Sequence, residues 1–111
     1  MNSNTIDFWP DDDDGQVLRR LRNDGFDFTK KYVVDFVIDF ETWPPDAQVL
    51  ERIVEEFPNT TEYTDEGTGE STLIVKVEDF LTYRFVVETQ ARLTALASIS
   101  GGACESWGVL H

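Results

Sequence analysis

The sequence predicts an α+β domain: one antiparallel four-stranded sheet, two helices on one of its faces, and a further helix ahead of them. Three observations lead there. Residues 31–41 alternate between apolar and mixed positions, the period of a strand. Residues 47–57 and 81–100 repeat apolar side chains at the spacing of a helix. The elements then run helix, β-α-β-β-α-β, with no internal repeat at periods of about 20–50 residues.

Aspartates 11–14 precede Val17, Leu18 and Leu21, which reads as an N-cap with acids in the first helical turn. Arg19, Arg20 and Arg22 fall toward the other end, and Gly25 suits the stop. The first helix is therefore expected over 12–24. In 31–41, Tyr32, Val34, Phe36, Ile38 and Phe40 point one way, and Val33, Asp35, Val37, Asp39 and Glu41 the other. Thr42-Trp43-Pro44-Pro45-Asp46 breaks that strand, with Pro45 suited to open the next helix. Ala47, Leu50, Ile53, Val54 and Phe57 are its expected stripe, and Pro58 ends it. Residues 60–64 and 71–80 read as strands joined by the open, glycine-bearing loop 65–70. The last helix carries Phe85, Val86, Thr89, Leu93, Leu96 and Ala97 inward and is capped by Gly101-Gly102. A final strand follows over 103–110. This order matches the split βαβ, or ferredoxin-like, pattern. One domain is expected over 1–111, with an arm at 1–10, an added helix at 11–25 and the ferredoxin-like core at 31–110.

The 111 residues suit one domain, and about two-thirds of the extended chain's surface can be buried at this size. Hydrophobic residues make up 41% and aromatics 13%, too apolar for a disordered chain. No apolar run reaches the roughly 20 residues a bilayer requires, and the N-terminus lacks a secretory h-region. A cytoplasmic protein is the expectation. One cysteine and one histidine, the latter at position 111, exclude a disulfide framework and a Cys/His zinc site, and leave a Ser-His-Asp triad without a well-placed base. No catalytic residue, metal site or cofactor is expected. Asp11–Asp14 do not match a calcium loop. Gly67-Thr68-Gly69 lacks the lysine of a phosphate loop. Cys104 reads as a small apolar residue.

Net charge is −13, and its distribution is uneven. Residues 32–70 hold eleven acids against one base, Arg52. Such a field repels phosphate backbones and anionic membranes and favours a basic protein partner. Glu51, Glu55, Glu56, Glu62, Asp65 and Glu66 are the candidate contact residues, set against the reading that they simply solvate a helix face. Trp107 is a candidate anchor or, alternatively, a core residue. Asp35, Asp39 and Glu41 share a strand face without the cleft that acid–base work needs.

Residues 8–28, FWPDDDDGQVLRRLRNDGFDF, resemble the opening of the RraB family, regulators of ribonuclease activity that inhibit ribonuclease E. The strand YVVDFVIDF and the ending GGACESWGVL are similar to its later segments. Where the family has D-G-W-G, this chain has Glu105-Ser106-Trp107-Gly108, which puts in doubt any turn requiring φ > 0 at Ser106. The best-known members look longer, with an acidic C-terminal tail that this chain would lack. The resemblance implies a non-enzyme that binds ribonuclease E and lowers its cleavage of RNA. The readings kept beside it are an acidic inhibitor or immunity-type protein for another basic enzyme, and a small-molecule-binding ferredoxin-like domain.

Overall fold

The computed structural model describes residues 9–110; residues 1–8 of the expected arm, Phe8 among them, and His111 lie outside them. The chain runs α1 (Asp13–Asn23), β1 (Lys31–Phe40), α2 (Ala47–Glu56), β2 (Thr60–Thr64), β3 (Ser71–Phe80), α3 (Tyr83–Ala97), a single 3-10 turn (Ser98–Ser100) and β4 (Gly102–Val109). The sheet is four-stranded, in the order β2-β3-β1-β4, and every pairing is antiparallel. The most regular alternation in the sequence therefore belongs to a central strand, flanked by partners on both sides.

Register fixes the two faces. Val34, Phe36 and Ile38 lie opposite Val77, Val75 and Leu73, and on the other side opposite Val109, Trp107 and Cys104. This face is covered by helices. Val34, Phe36, Ile38, Leu73 and Val75 are buried with Val49 and Ile53 of α2 and Val86, Leu93, Leu96 and Ala97 of α3 in one cluster. A bulge in β4 between the partners of Val37 and Ile38 leaves Glu105 outside the ladder. It keeps Cys104 and Trp107 on the same side, which an uninterrupted strand could not do at a spacing of three.

Each helix begins as the sequence chemistry dictates. Asp12 accepts from the Gly15 N–H at 2.8 Å, Asp46 from Gln48 at 2.8 Å, and Thr82 from Phe85 at 3.0 Å. Gly25 takes φ 86° where α1 ends, as its position predicts. Two expectations about α2 are corrected. Pro45 does not open the helix; it is buried ahead of Asp46, whose carboxylate is the better cap. The buried stripe is Val49 and Ile53, whereas Val54 is 41% exposed. Val49 was not in the expected stripe because the i, i+3, i+4 pattern admits two registers in so short a helix. The N-terminal helix is additional to the βαββαβ order, as expected, and packs into the common cluster through Leu18 and Leu21, with Phe26 just after it. Ser106 sits in β4 opposite Val37, and no described residue other than glycine has positive φ. The serine thus meets no steric objection there.

Gly102 marks the tightest approach between α3 and the sheet. A Cβ there would stand 2.5 Å from the Phe40 ring and 2.8 Å from the Ala97 methyl. No larger residue fits without displacing one of them.

Candidate partner-binding surface

α2 presents Glu51 and Glu55 one turn apart on its solvent side, both exposed and, among the described residues, without a bonded partner. Between and beside them lie Ala47, Leu50 and Val54, which line a shallow depression with the two glutamates. The outer face of the helix is thus acidic at its margins and apolar along its middle.

Glu56 is held differently. The Arg92 side chain of α3 reaches across and donates to both its oxygens, at 2.7 and 2.6 Å. This two-pronged pairing keeps the Glu56 carboxyl below its ordinary 4.5 and raises the Arg92 guanidinium in turn. The pair closes one side of a groove of about 570 Å3 between α2 and α3, also lined by Arg52, Leu96 and Ile99. The lone base of residues 32–70 therefore stands in this groove, and with Arg92 it interrupts the acidic surface.

Glu62 is exposed in β2, opposite Leu73 and so on the helix-bearing side of the sheet edge. Glu66 is exposed in the following loop. Asp65 builds that loop: its carboxylate accepts from the Gly67 and Thr68 N–H groups at 2.7 and 3.2 Å, and its own N–H donates to Glu70. Of the six candidate acids, Glu51, Glu55, Glu62 and Glu66 are open to a partner, while Glu56 and Asp65 already serve internal contacts.

Trp107 is not brought together with them. It lies in β4, the edge opposite β2, three strand spacings or about 14 Å across the sheet. Half-buried against the core, it donates its indole N–H to Asp14 of α1 at 2.8 Å. Asp14 also accepts from Gln90 of α3 at 3.1 Å. Asp12, besides capping α1, accepts from the Tyr83 hydroxyl at 2.5 Å. That bond, and next the Gly15 N–H, holds the Asp12 carboxyl below its ordinary 3.8. The aspartate run thus does more than cap: it ties α1 to α3 and β4. Sequence reasoning missed this, since 93 residues separate Asp14 from Trp107 and nothing local joins them.

The remaining chemistry is sparse. Asp35 is paired with Lys76 at 2.9 Å on the helix-free face. Cys104 is buried, which pushes its thiol up to about 12. Among the described residues no group of three His, Cys, Asp or Glu could hold a metal ion, and no helix is long and apolar enough to cross a membrane.

The described residues thus form a mixed α/β fold of three helices and a four-stranded antiparallel sheet. The family model for Regulator of ribonuclease activity B matches residues 11–109, and the chain belongs to that family, RraB. The family is regulatory, and its partner is a ribonuclease. No curated protein matches the chain.

Proposed function

We propose that this chain is a protein-binding regulator that lowers the activity of a ribonuclease E-type endoribonuclease, itself performing no catalysis. It does so by setting an acidic surface against basic segments of the enzyme. One observation carries the reading: eleven acids and a single base in residues 32–70, with Glu51, Glu55, Glu62 and Glu66 exposed. RNA-cleaving enzymes hold their substrate with positive surfaces. A protein bearing this field is drawn to such a surface and competes with the RNA phosphates for it. Glu56 and Asp65 belong to the same surface at its margins. Trp107 joins it only for a partner that reaches round to the β4 edge.

The scaffold is read as a ferredoxin-like βαββαβ domain with α1 added, which the order β2-β3-β1-β4 supports. A cytoplasmic setting agrees with the lone cysteine.

The test is an RNA-cleavage assay of purified ribonuclease E with and without this protein, repeated with Glu51, Glu55 and Glu56 changed to Lys. Wild-type protein is expected to slow cleavage, and the triple variant to lose most of that effect. No slowing by the wild type removes the proposal. Slowing that survives charge reversal moves the contact to another face.

A further inference from the structure

We propose that the helix-free face of the sheet is a self-association surface, on which a second copy of this chain docks in a weak two-fold dimer. Three of the exposed large apolar residues fall on this face by register: Val33 at 48%, Tyr63 at 52% and Phe80 at 44%. Val37 and Ile74 face each other between them, half-buried with no helix above. Together they run diagonally from the Phe80 end of β3 to the Tyr63 end of β2, crossed once by the Asp35–Lys76 ion pair. Apolar residues clustered on one uncovered face signal contact with another macromolecule.

Charge selects the occupant. On β1 and β3 this face carries Lys31 and Lys76 against Asp35, Asp39 and Glu78. The residues facing the same way on β2 and β4, Thr61, Tyr63, Ala103, Ser106 and Gly108, are uncharged. A face so nearly neutral has little pull on a basic partner, which the α2 side attracts instead. For two copies that each carry −13, it is the side on which repulsion is least. Lys76 is already paired with Asp35 within the chain at 2.9 Å, so little charge on this face is left uncompensated.

Size sets the strength. Four strands about 4.8 Å apart and eight residues of about 3.3 Å give roughly 500 Å2 per copy. About 1,000 Å2 in total is the lower limit of a specific interface, so the dimer is expected to be weak and concentration-dependent.

Salt separates this contact from ribonuclease binding. Docking of opposite charges weakens as salt rises, whereas association of two like-charged copies through an apolar face strengthens. The experiment is sedimentation equilibrium of the full chain over a wide concentration range, at about 0.05 M and about 0.5 M salt. Mass is expected to climb toward the dimer, more steeply at high salt. Val33→Lys should weaken association at least tenfold, with Ile99→Lys on the helical side leaving it unchanged. Circular dichroism melting checks that both variants fold, and Tyr63→Lys serves if Val33→Lys does not. A monomer at every concentration overturns the proposal, as does a dimer that ignores both sheet-face variants. It is overturned too if Val33→Lys abolishes ribonuclease inhibition while leaving the dimer intact, for the face is then the enzyme's. Loss of inhibition by the wild-type protein would undo the ribonuclease reading and leave this one standing.

Discussion

Asp14 is a hub: one carboxylate receives the Trp107 indole and the Gln90 amide, joining α1, α3 and β4. Changing Asp14 to Ala should cost about 1–3 kcal/mol, because the part-buried Trp107 indole loses its acceptor and the Gln90 amide keeps only the Val86 carbonyl. Trp107→Phe removes the same bond from the other end. The two changes together should cost less than their sum in a double-mutant cycle followed by urea denaturation. Full additivity would mean that the bond contributes nothing to stability. Gly102→Ala should cost a further about 1–3 kcal/mol by driving a methyl into Phe40 and Ala97, measurable in the same way. Local chemistry foretold the cap at Asp12, within the aspartate run, but not those at Asp46, where Pro45 was expected to open the helix, or at Thr82, which the expected start at 81 passed over. Asp14–Trp107 was invisible, because its two halves meet only after the whole fold has closed.

Among the elements, β1 was the most legible and α2 the least. A ten-residue strand with one wholly apolar face admits a single orientation, and burial of Val34, Phe36 and Ile38 follows. In α2 apolar residues occupy both sides, so the alternation of hydrophobic and charged positions could not tell Val49 from Val54. The tertiary contact with α3 decided it. The opening helix reads from sequence as an addition, yet Leu18 is wholly buried. Leu18→Ala should therefore cost about 2–5 kcal/mol, the range for a truncated core leucine, with thermal melting as the measure. A loss below about 1 kcal/mol, the size of a surface effect, would show α1 to be peripheral after all.

For the molecule as a whole, charge governs behaviour in solution. The Asp12 carboxyl is held low chiefly by the Tyr83 hydroxyl. A carboxyl depressed in the folded state adds stability that is fully present above its ordinary value and is lost as pH falls through the lowered one. Wild type should therefore melt above Tyr83→Phe at pH 6, and the gap should narrow as the pH drops below 3.8. A gap that stays constant down to the acid limit would show that the hydroxyl acts by packing alone. Ribonuclease inhibition, by contrast, should fall steeply between about 0.05 M and about 0.5 M salt, as measured by cleavage assay. The acidic character was plain in the composition. Which carboxylates are free and which are already engaged was not, because that depends on Arg92 arriving from another helix and on the loop folding around Asp65.

The buried sulfur carries one more consequence. Cys104 is the chain's single cysteine, it keeps its proton at neutral pH, and its amide is held at 2.9 Å by the Thr94 hydroxyl of α3. Being only 5% exposed, it should react with an alkylating reagent slowly in the closed form and much faster when β4 parts from that helix. The labelling rate of the untouched protein thus serves as a native clock for how often this sheet margin breathes, and a bound ribonuclease that clasps the β4 edge would slow it.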